Sequence, residues 1–113
     1  MDRRIELIIS KMKANTAAPW DTPGLAVLVN LSPSRFRHLF KQETGVTPGQ
    51  FLKDIRLRKA EKMLRTTFLS IKQVLKQVGI ASNTHFVRDF RQKYGMTPTA
   101  YRRTLKHKRV RAR

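Results

Sequence analysis

The sequence predicts an all-α fold, and three observations lead to this prediction: clear helix start signals, apolar residues at helical spacing, and an internal repeat. A Ser or Thr directly before a proline marks a helix start, because the hydroxyl caps the first turn and proline is favoured at its first position. Four such pairs occur, at Thr22-Pro23, Ser32-Pro33, Thr47-Pro48 and Thr97-Pro98. Further caps are expected at Ser70 and at Ser82 or Asn83, and left-handed residues that end helices at Asn15, Gly45, Gly79 and Gly95.

Apolar residues recur three and four positions apart along most of the chain, and no segment shows the sustained alternation that is typical of a strand. Combined with the start and stop signals, this spacing predicts seven helices. The predicted helices span residues 3–14, 22–30, 33–44, 48–65, 71–79, 83–94 and 98–107.

The internal repeat divides the chain into two related units. Residues 34–51 match residues 84–101 at a constant offset of 50, so that Phe36 and Phe40 recur as Phe86 and Phe90. The short helix before them recurs at an offset of 49. Each copy is thus a short helix, a tight turn and a longer basic helix, which is the layout of a homeodomain-like helix-turn-helix. We expect the first unit at about 3–46, a connecting helix at about 48–65, the second unit at about 67–107, and a disordered basic tail at 108–113.

The composition indicates a polyanionic partner. The chain has 25 Lys and Arg against 7 acidic residues, for a formal charge of +18, and self-repulsion on this scale is tolerated mainly when a polyanion neutralises it. A nucleic acid is therefore expected, with a ribosomal or membrane-surface protein as the alternative. No apolar run approaches the roughly 20 residues that span a bilayer, and the charged start reads as an amphipathic helix and not as a signal peptide. We therefore expect a soluble protein that is not associated with a membrane. The absence of cysteine suits a reducing cytosol, and we expect a cytoplasmic location at the nucleoid.

The second helix of each predicted unit combines an apolar stripe with a polar face that suits base recognition. Arginine can bond guanine through two hydrogen bonds, Asn can do the same to adenine, and the methyl group of Val or Thr can meet that of thymine. The alternative is an ordinary solvated helix face. The polar-face residues are Ser34, Arg35, Arg37, His38 and Lys41 in the first unit, and Asn83, Thr84, His85, Val87, Arg88 and Arg91 in the second.

The predicted connecting helix has a length that suits DNA. At 1.5 Å per residue it spans about 27 Å, close to one turn of B-DNA, so it is able to set two recognition helices into successive major grooves. A plain core helix is the alternative. We expect contacts to DNA phosphates from Lys41, Arg91 and Arg102, and from the helix N-termini at Thr47 and Thr97. The basic run from Arg102 onward is typical of sequence-independent phosphate attraction.

Other classes of protein have less support. The acidic residues are scattered singly, and His38, His85 and His107 lie too far apart in sequence for a helical metal pair. We therefore expect no enzyme activity, no metal and no cofactor. An architectural protein that coats DNA without reading it is the main alternative, since high charge serves that purpose too. RNA binding has less support as an alternative, because the sequence shows no exposed aromatic platform.

With both units in place, the chain resembles the DNA-binding domain of the AraC/XylS family of bacterial transcription regulators, from about Arg4 to Arg103. The matching segments are GIASNTHFVRDFRQKYGMTPTAYRR in the second unit, LSPSRFRHLFK in the first and RLRKAEKML in the connector. The resemblance implies that the domain reads double-stranded promoter DNA and that RNA polymerase is a second partner; we expect this domain to be monomeric. It places the base-reading residues at Ser34, Arg35, Arg37, His38, Asn83, Thr84, Val87 and Arg88. Leu75 and Ile80 depart from the family pattern, so altered packing is expected in the second unit.

Overall fold

The computed structural model describes the backbone of residues 1–111 and the side chains of residues 1–105. The described part of the chain forms seven α-helices and no strand, which confirms the predicted all-α class. The helices are α1 (Arg3–Ala14), α2 (Thr22–Leu28), α3 (Pro33–Thr44), α4 (Pro48–Thr66), α5 (Ile71–Val78), α6 (Asn83–Tyr94) and α7 (Pro98–Arg111).

Helix α2 departs from the prediction at both ends. Asp21 and not Thr22 is its N-cap, because the Asp21 carboxylate accepts a hydrogen bond from the backbone N–H of Gly24 at 2.8 Å. The helix ends at Leu28 and not at residue 30, since Asn30 adopts a left-handed conformation with φ of 58°. A short polar side chain makes Asn one of the few residues that tolerate this conformation.

Two further helix ends correct the sequence prediction. Asn15, expected to be left-handed, has φ of −146° and ψ of 81°, and its backbone N–H bonds the carbonyl of Lys11. Helix α7 runs to Arg111 and not to residue 107, because no Gly or Pro follows to end it. The side chains of the predicted tail at 108–113, and the backbone of its last two residues, lie outside the described residues, so the predicted disorder of the tail stays a prediction.

The chain divides into two compact units, Met1–Ile55 and Arg56–Arg113, and each has a hydrophobic core of its own. The boundary falls inside α4, because the first half of this helix supplies Leu52 to one core and the second half supplies Leu57 to the other. Helix α4 is thus part of both units and not a connector that stands apart from them. The first core consists of Ile5, Ile8, Met12, Leu25, Ala26, Phe36, Phe40 and Leu52.

The core of the second unit repeats the layout of the first. Its members are Leu57, Ala60, Leu64, Val74, Leu75, Val78, Phe86 and Phe90. Ile5, Ile8 and Met12 of α1 correspond, at an offset of 52, to Leu57, Ala60 and Leu64, so the second half of α4 takes the place that α1 has in the first unit. Both departures from the family pattern are packed into this core: Leu75 is 7% exposed, and Ile80 is partly buried against it.

The turns of the two units share their backbone conformation. Asn30 and Gly79, which are paired in the repeat, have φ of 58° and 90°, and the paired Gly45 and Gly95 have φ of 84° and 81°. Left-handed residues at these points end the preceding helices and turn the chain. The repeat found in the sequence is therefore a repeat of local structure as well.

Candidate nucleic-acid interface

Helix α3 is fixed in the first unit by one apolar face. Phe36 and Phe40 are fully buried, with ring centroids 5.8 Å apart, and Ser32 caps the helix by accepting a hydrogen bond from the N–H of Arg35 at 3.2 Å. Since side chains three and four positions apart share a face, the burial of the phenylalanines turns the residues between them outward. The predicted base-reading residues Ser34, Arg35, Arg37 and His38 are all exposed.

Helix α6 is built in the same way in the second unit. Phe86 and Phe90 are buried with ring centroids 5.6 Å apart. Ser82 is the N-cap, because its hydroxyl accepts a hydrogen bond from the N–H of His85, and Asn83 is left as the first residue of the helix. Of the predicted base-reading residues in this unit, Asn83, Thr84 and Arg88 are exposed and Val87 is half-buried.

Arg88 has an acidic neighbour. Its Nε lies 3.3 Å from Oδ1 of Asp89, and the Arg88 side chain is 63% exposed while that of Asp89 is 11% exposed. The carboxylate is therefore the fixed member of the pair, and it holds the guanidinium by one edge. Because the Arg88 side chain is largely exposed and a guanidinium carries five N–H donors, donors remain that can meet a base or a phosphate.

Three of the residues predicted to contact phosphate have an intramolecular role: Thr47, Thr97 and Arg102. Thr47 forms a capping box with Gln50: its hydroxyl accepts from the backbone N–H of Gln50 at 3.2 Å, and its own N–H donates to the Gln50 side chain at 3.1 Å. The backbone N–H that was expected to meet a phosphate at Thr47 is thus already satisfied. Thr97 caps α7 through Ala100, while Lys41 and Arg91 lie exposed in the last turns of their helices.

Arg102, the third of these residues, closes the C-terminal end of α4. Its guanidinium donates to the carbonyl oxygens of Leu64 at 3.3 Å and Thr67 at 3.2 Å, and also to that of Leu69. Leu64 lies in the last turn of α4, where carbonyls have no intrahelical partner, and Thr67 and Leu69 lie in the segment that follows the helix, so the cation satisfies carbonyls on both sides of the helix end. Sequence reasoning missed this role because the three carbonyls lie 33 to 38 residues before Arg102.

A second polar contact joins α7 to α4. The Tyr101 hydroxyl donates to a carboxylate oxygen of Glu61, which also accepts from Nε of Arg65 at 2.6 Å. Burial, followed by the hydrogen bond to Glu61, raises the pKa of Tyr101 to about 12. Burial alone would raise the pKa of Glu61, but the hydrogen bonds from Arg65 and Tyr101 outweigh it and lower that pKa.

A cleft of about 410 Å³ lies between α1 and α3 in the first unit. Arg4 lines it from α1, opposite Arg35, His38 and Gln42 of α3. Asp2 binds the Arg4 guanidinium through both carboxylate oxygens, with Nε–Oδ1 at 3.2 Å and Nη2–Oδ2 at 2.9 Å. These hydrogen bonds, with a further one from the Arg4 backbone N–H, lower the pKa of Asp2 to about 2. Sequence reasoning passed over Arg4, since nothing in the pattern of α1 places it beside a recognition helix.

Among the described residues, no three or more His, Asp or Glu side chains come together in a group that could hold a metal ion. No helix there is both long enough and apolar enough to cross a bilayer.

Comparison with known proteins places these features in a family. A family model described as a helix-turn-helix domain matches residues 25–104. The transcriptional regulator MtrA of Neisseria gonorrhoeae is 30% identical over 102 residues, which cover 90% of this chain and 34% of MtrA. GbdR of Pseudomonas aeruginosa is 32% identical over 95 residues, which cover 84% of this chain and 26% of GbdR. The chain thus spans about a third of the length of these relatives, or less.

Two solved structures extend the comparison. A transcriptional regulator from Chromobacterium violaceum, described as AraC-type, has a TM-score of 0.81 at 30% identity, covering 91% of this chain and 92% of its own. The DNA-binding domain of AdpA, solved in complex with a target DNA, has a TM-score of 0.88 at 25% identity, covering 95% and 96%. The chain therefore belongs to the AraC/XylS family of helix-turn-helix transcription regulators.

Proposed function

We propose that this chain is a sequence-specific, double-stranded DNA-binding domain of a transcription regulator, in which each unit reads one half-site through its recognition helix. One observation carries the proposal: α3 and α6 each bury a pair of phenylalanines and turn an exposed basic and polar face outward, in a chain with a net charge of +18. A helix that is fixed by its own core and exposes such a face has what insertion into a major groove requires. Successive major grooves on one face of the duplex are the arrangement that we propose for the two half-sites.

The base-reading residues proposed are eight of the exposed or half-exposed side chains of the two recognition helices. Arg37 and Arg88 are the strongest candidates for guanine, and Asn83 is the candidate for adenine, because their side chains can form two hydrogen bonds with those bases. The full set is Ser34, Arg35, Arg37, His38, Asn83, Thr84, Val87 and Arg88.

The proposed phosphate contacts are fewer than those expected from the sequence. Lys41 and Arg91 are exposed beside the recognition faces, and Thr97 lies at the start of α7. Thr47 and Arg102 are left out, because the N–H of Thr47 is bonded to Gln50 and the Arg102 guanidinium is bonded to three backbone carbonyls.

The remaining parts of the proposal rest on the family. We propose that the domain binds as a monomer, that a surface left free on the DNA engages RNA polymerase, and that the protein acts in the cytoplasm at the nucleoid. Two similar units within one chain support monomeric binding, since together they can occupy two half-sites without a second subunit. The relative RhaR, which is 28% identical over 99 residues, is named a transcriptional activator, and activation is consistent with a polymerase contact. No catalysis is proposed.

The first experiment selects duplexes from a randomised library with the purified domain at near-physiological salt. Two short motifs about one helical turn apart are the expected product. Binding of all duplexes alike, with a steep salt dependence, would instead identify an architectural protein that coats DNA without reading it.

The second experiment tests base reading with matched arginine variants. Arg37→Ala or Arg88→Ala should weaken binding to the selected duplex by about 5- to 140-fold and relax the preference at one base pair. Arg3→Ala, an exposed residue of α1 with the same charge change, is the control and should affect the selected and scrambled duplexes equally. Equal losses on both duplexes for Arg37→Ala and Arg88→Ala would contradict the base-reading role.

A further inference from the structure

We propose that the cleft between α1 and α3 binds one backbone phosphate of the DNA, and that Arg4 is its principal ligand. The inference rests on the proposed function and goes beyond it, because it assigns a DNA contact to α1, a helix outside the helix-turn-helix motif of the first unit. The ligand chemistry is that of a phosphodiester, which carries one negative charge and accepts hydrogen bonds from a guanidinium.

The lining of the cleft suits an anion. Arg4, Arg35 and His38 contribute basic side chains, Ser34 and Gln42 contribute polar ones, and none of the lining residues is acidic. The volume of about 410 Å³ exceeds that of a phosphate group, so the adjoining sugar can enter as well. Arg4 is half-exposed, with 51% of its side-chain surface accessible, so a ligand can reach its guanidinium from solvent.

Asp2 holds Arg4 in place without consuming its capacity to bind. The two hydrogen bonds to Asp2 use one N–H at Nε and one at Nη2, and the remaining N–H groups of the guanidinium are left for a ligand. Asp2 is itself anchored, since its backbone N–H donates to Glu43 at the end of α3 and its side chain caps α1. Because the guanidinium is oriented before DNA arrives, less side-chain entropy is lost on binding.

The position of Arg4 indicates a phosphate and not a base. In helix-turn-helix complexes the recognition helix enters the major groove, and the sugar-phosphate backbone runs along the edges of that groove beside it. Arg4 lies on α1, across the cleft from the flank of α3 that carries His38 and Gln42. A cation at this place meets the edge of the groove, where phosphates line the duplex.

The decisive comparison is between Arg4→Ala and Arg3→Ala. Both remove one positive charge from an exposed position of α1, but Arg3 does not line the cleft. Binding is titrated with salt on the selected duplex and on a scrambled one. Arg4→Ala should lower the slope of log K against log salt by about 0.9 and weaken both duplexes by the same factor, because a phosphate contact is independent of sequence. Arg3→Ala should leave the slope near that of the unchanged protein.

A single phosphate is then located by replacing each backbone phosphate near the first half-site, one at a time, with a neutral methylphosphonate. At one position the substitution should weaken binding by the unchanged protein and have no effect on Arg4→Ala. If instead the loss from the methylphosphonate and the loss from Arg4→Ala multiply at every position, no phosphate is contacted by Arg4 and the proposal is overturned. Arg4→Lys should recover the salt slope, and melting curves that coincide with that of the unchanged protein establish that the variants are folded.

A final experiment distinguishes two possible ligands of the cleft, a DNA phosphate and free inorganic phosphate. Exchanging chloride for inorganic phosphate at equal ionic strength should leave the DNA affinity of the unchanged protein the same. A loss that is absent in Arg4→Ala would show that the cleft is a site for free phosphate and would overturn the DNA assignment. If the unchanged protein selects no motif, the proposed function fails; if it does and Arg4→Ala behaves as Arg3→Ala does, this inference alone fails.

Discussion

Replacing Phe90 by Ala removes the centre of the core in the second unit. Phe90 has no exposed surface, and its ring centroid lies 5.6 Å from that of Phe86, 4.6 Å from that of Tyr94 and 5.3 Å from that of Tyr101. Tyr101 of α7 thus packs directly on the recognition helix, against Phe90 and also against Tyr94 at 6.1 Å between ring centroids. Truncation leaves a cavity at the junction of α6 and α7.

The expected loss is large relative to the stability of the unit. A buried Phe→Ala change typically costs about 3–5 kcal/mol, and each aromatic pair contributes about 0.5–1.5 kcal/mol beyond the buried area. With three such pairs broken at Phe90, we expect a loss near the upper end, about 4–5 kcal/mol. Small domains have a total stability of about 5–15 kcal/mol, so the second unit of the variant should be close to unfolding.

The aromatic residues of the chain supply a separate optical signal for each unit. Trp20, the one tryptophan, lies in the first unit, and both tyrosines, Tyr94 and Tyr101, lie in the second. Urea unfolding is followed by tryptophan fluorescence and by the near-ultraviolet circular dichroism of tyrosine. In Phe90→Ala the tyrosine transition should move to much lower urea, and the tryptophan transition should move less, because the first core is unchanged.

The matched control is Phe68→Ala, which removes the same atoms from a side chain that is 95% exposed. Without a core to disrupt, this change should alter the free energy of unfolding by less than about 0.5 kcal/mol. A loss for Phe90→Ala as small as that for Phe68→Ala would refute the core assignment. Equal displacement of the two transitions in Phe90→Ala would refute the reasoning that each unit depends on its own core.

Two further predictions concern the backbone and the pH dependence of the second unit. Gly95→Ala should destabilise the protein by about 1–2 kcal/mol, because φ is 81° there and a residue with a Cβ rarely adopts that conformation. Gly49→Ala inside α4 is the control and should stabilise the protein by about 0.5–1 kcal/mol, since a Cβ meets no neighbour at either glycine. Equal effects of the two substitutions on urea unfolding would contradict this reasoning. Tyr101 has a pKa raised from 10.0 to about 12, so its contribution to stability is complete below pH 10 and is lost as the pH rises from 10 to 12. In an ultraviolet phenol titration, Glu61→Gln should bring this pKa down toward 10, and a titration unchanged in that variant would show that Glu61 has no part in the shift.

Local signals in the sequence predicted most of the fold. The bounds of α1, α3 and α6 match the prediction residue for residue, because caps and left-handed glycines act on the backbone within one turn. The N-cap of α2 was missed since Asp21 and Thr22 both suit the position, and only the backbone direction decides between them. The burial of phenylalanines in each unit followed from the 3.6-residue period, and the exposed recognition faces followed from that burial.

Long-range contacts were beyond such reasoning. Arg102 reads as a surface cation in a basic segment, and only the folded chain brings it to the carbonyls at the end of α4. Arg4 is one of many exposed arginines in the sequence, and its place beside α3 depends on how α1 packs. Local sequence does not encode the partner in either case, so sequence alone cannot separate a structural arginine from a DNA-binding one.

The two units share a backbone layout and an aromatic contact at the closing helix, since Tyr101 packs on Phe90 at 5.3 Å between ring centroids, yet the other contacts that hold this helix differ. In the first unit the closing helix is α4, where Phe51 packs on Phe40 at 5.4 Å between centroids and Leu52 is buried. At the same positions of the repeat, fifty residues later, the second unit has Tyr101 and Arg102, which reach a carboxylate and three backbone carbonyls.

The difference lies in what orients the closing helix. Helix α4 supplies Leu52 to the first core and Leu57, Ala60 and Leu64 to the second. At the position of α7 that matches Leu52, Arg102 instead donates hydrogen bonds to fixed carbonyls, and these supply the orientation that a buried apolar side chain gives to α4. Because burial and the hydrogen bond to Glu61 raise the pKa of Tyr101 to about 12, the second unit should lose this contribution to its stability as the pH rises from 10 to 12.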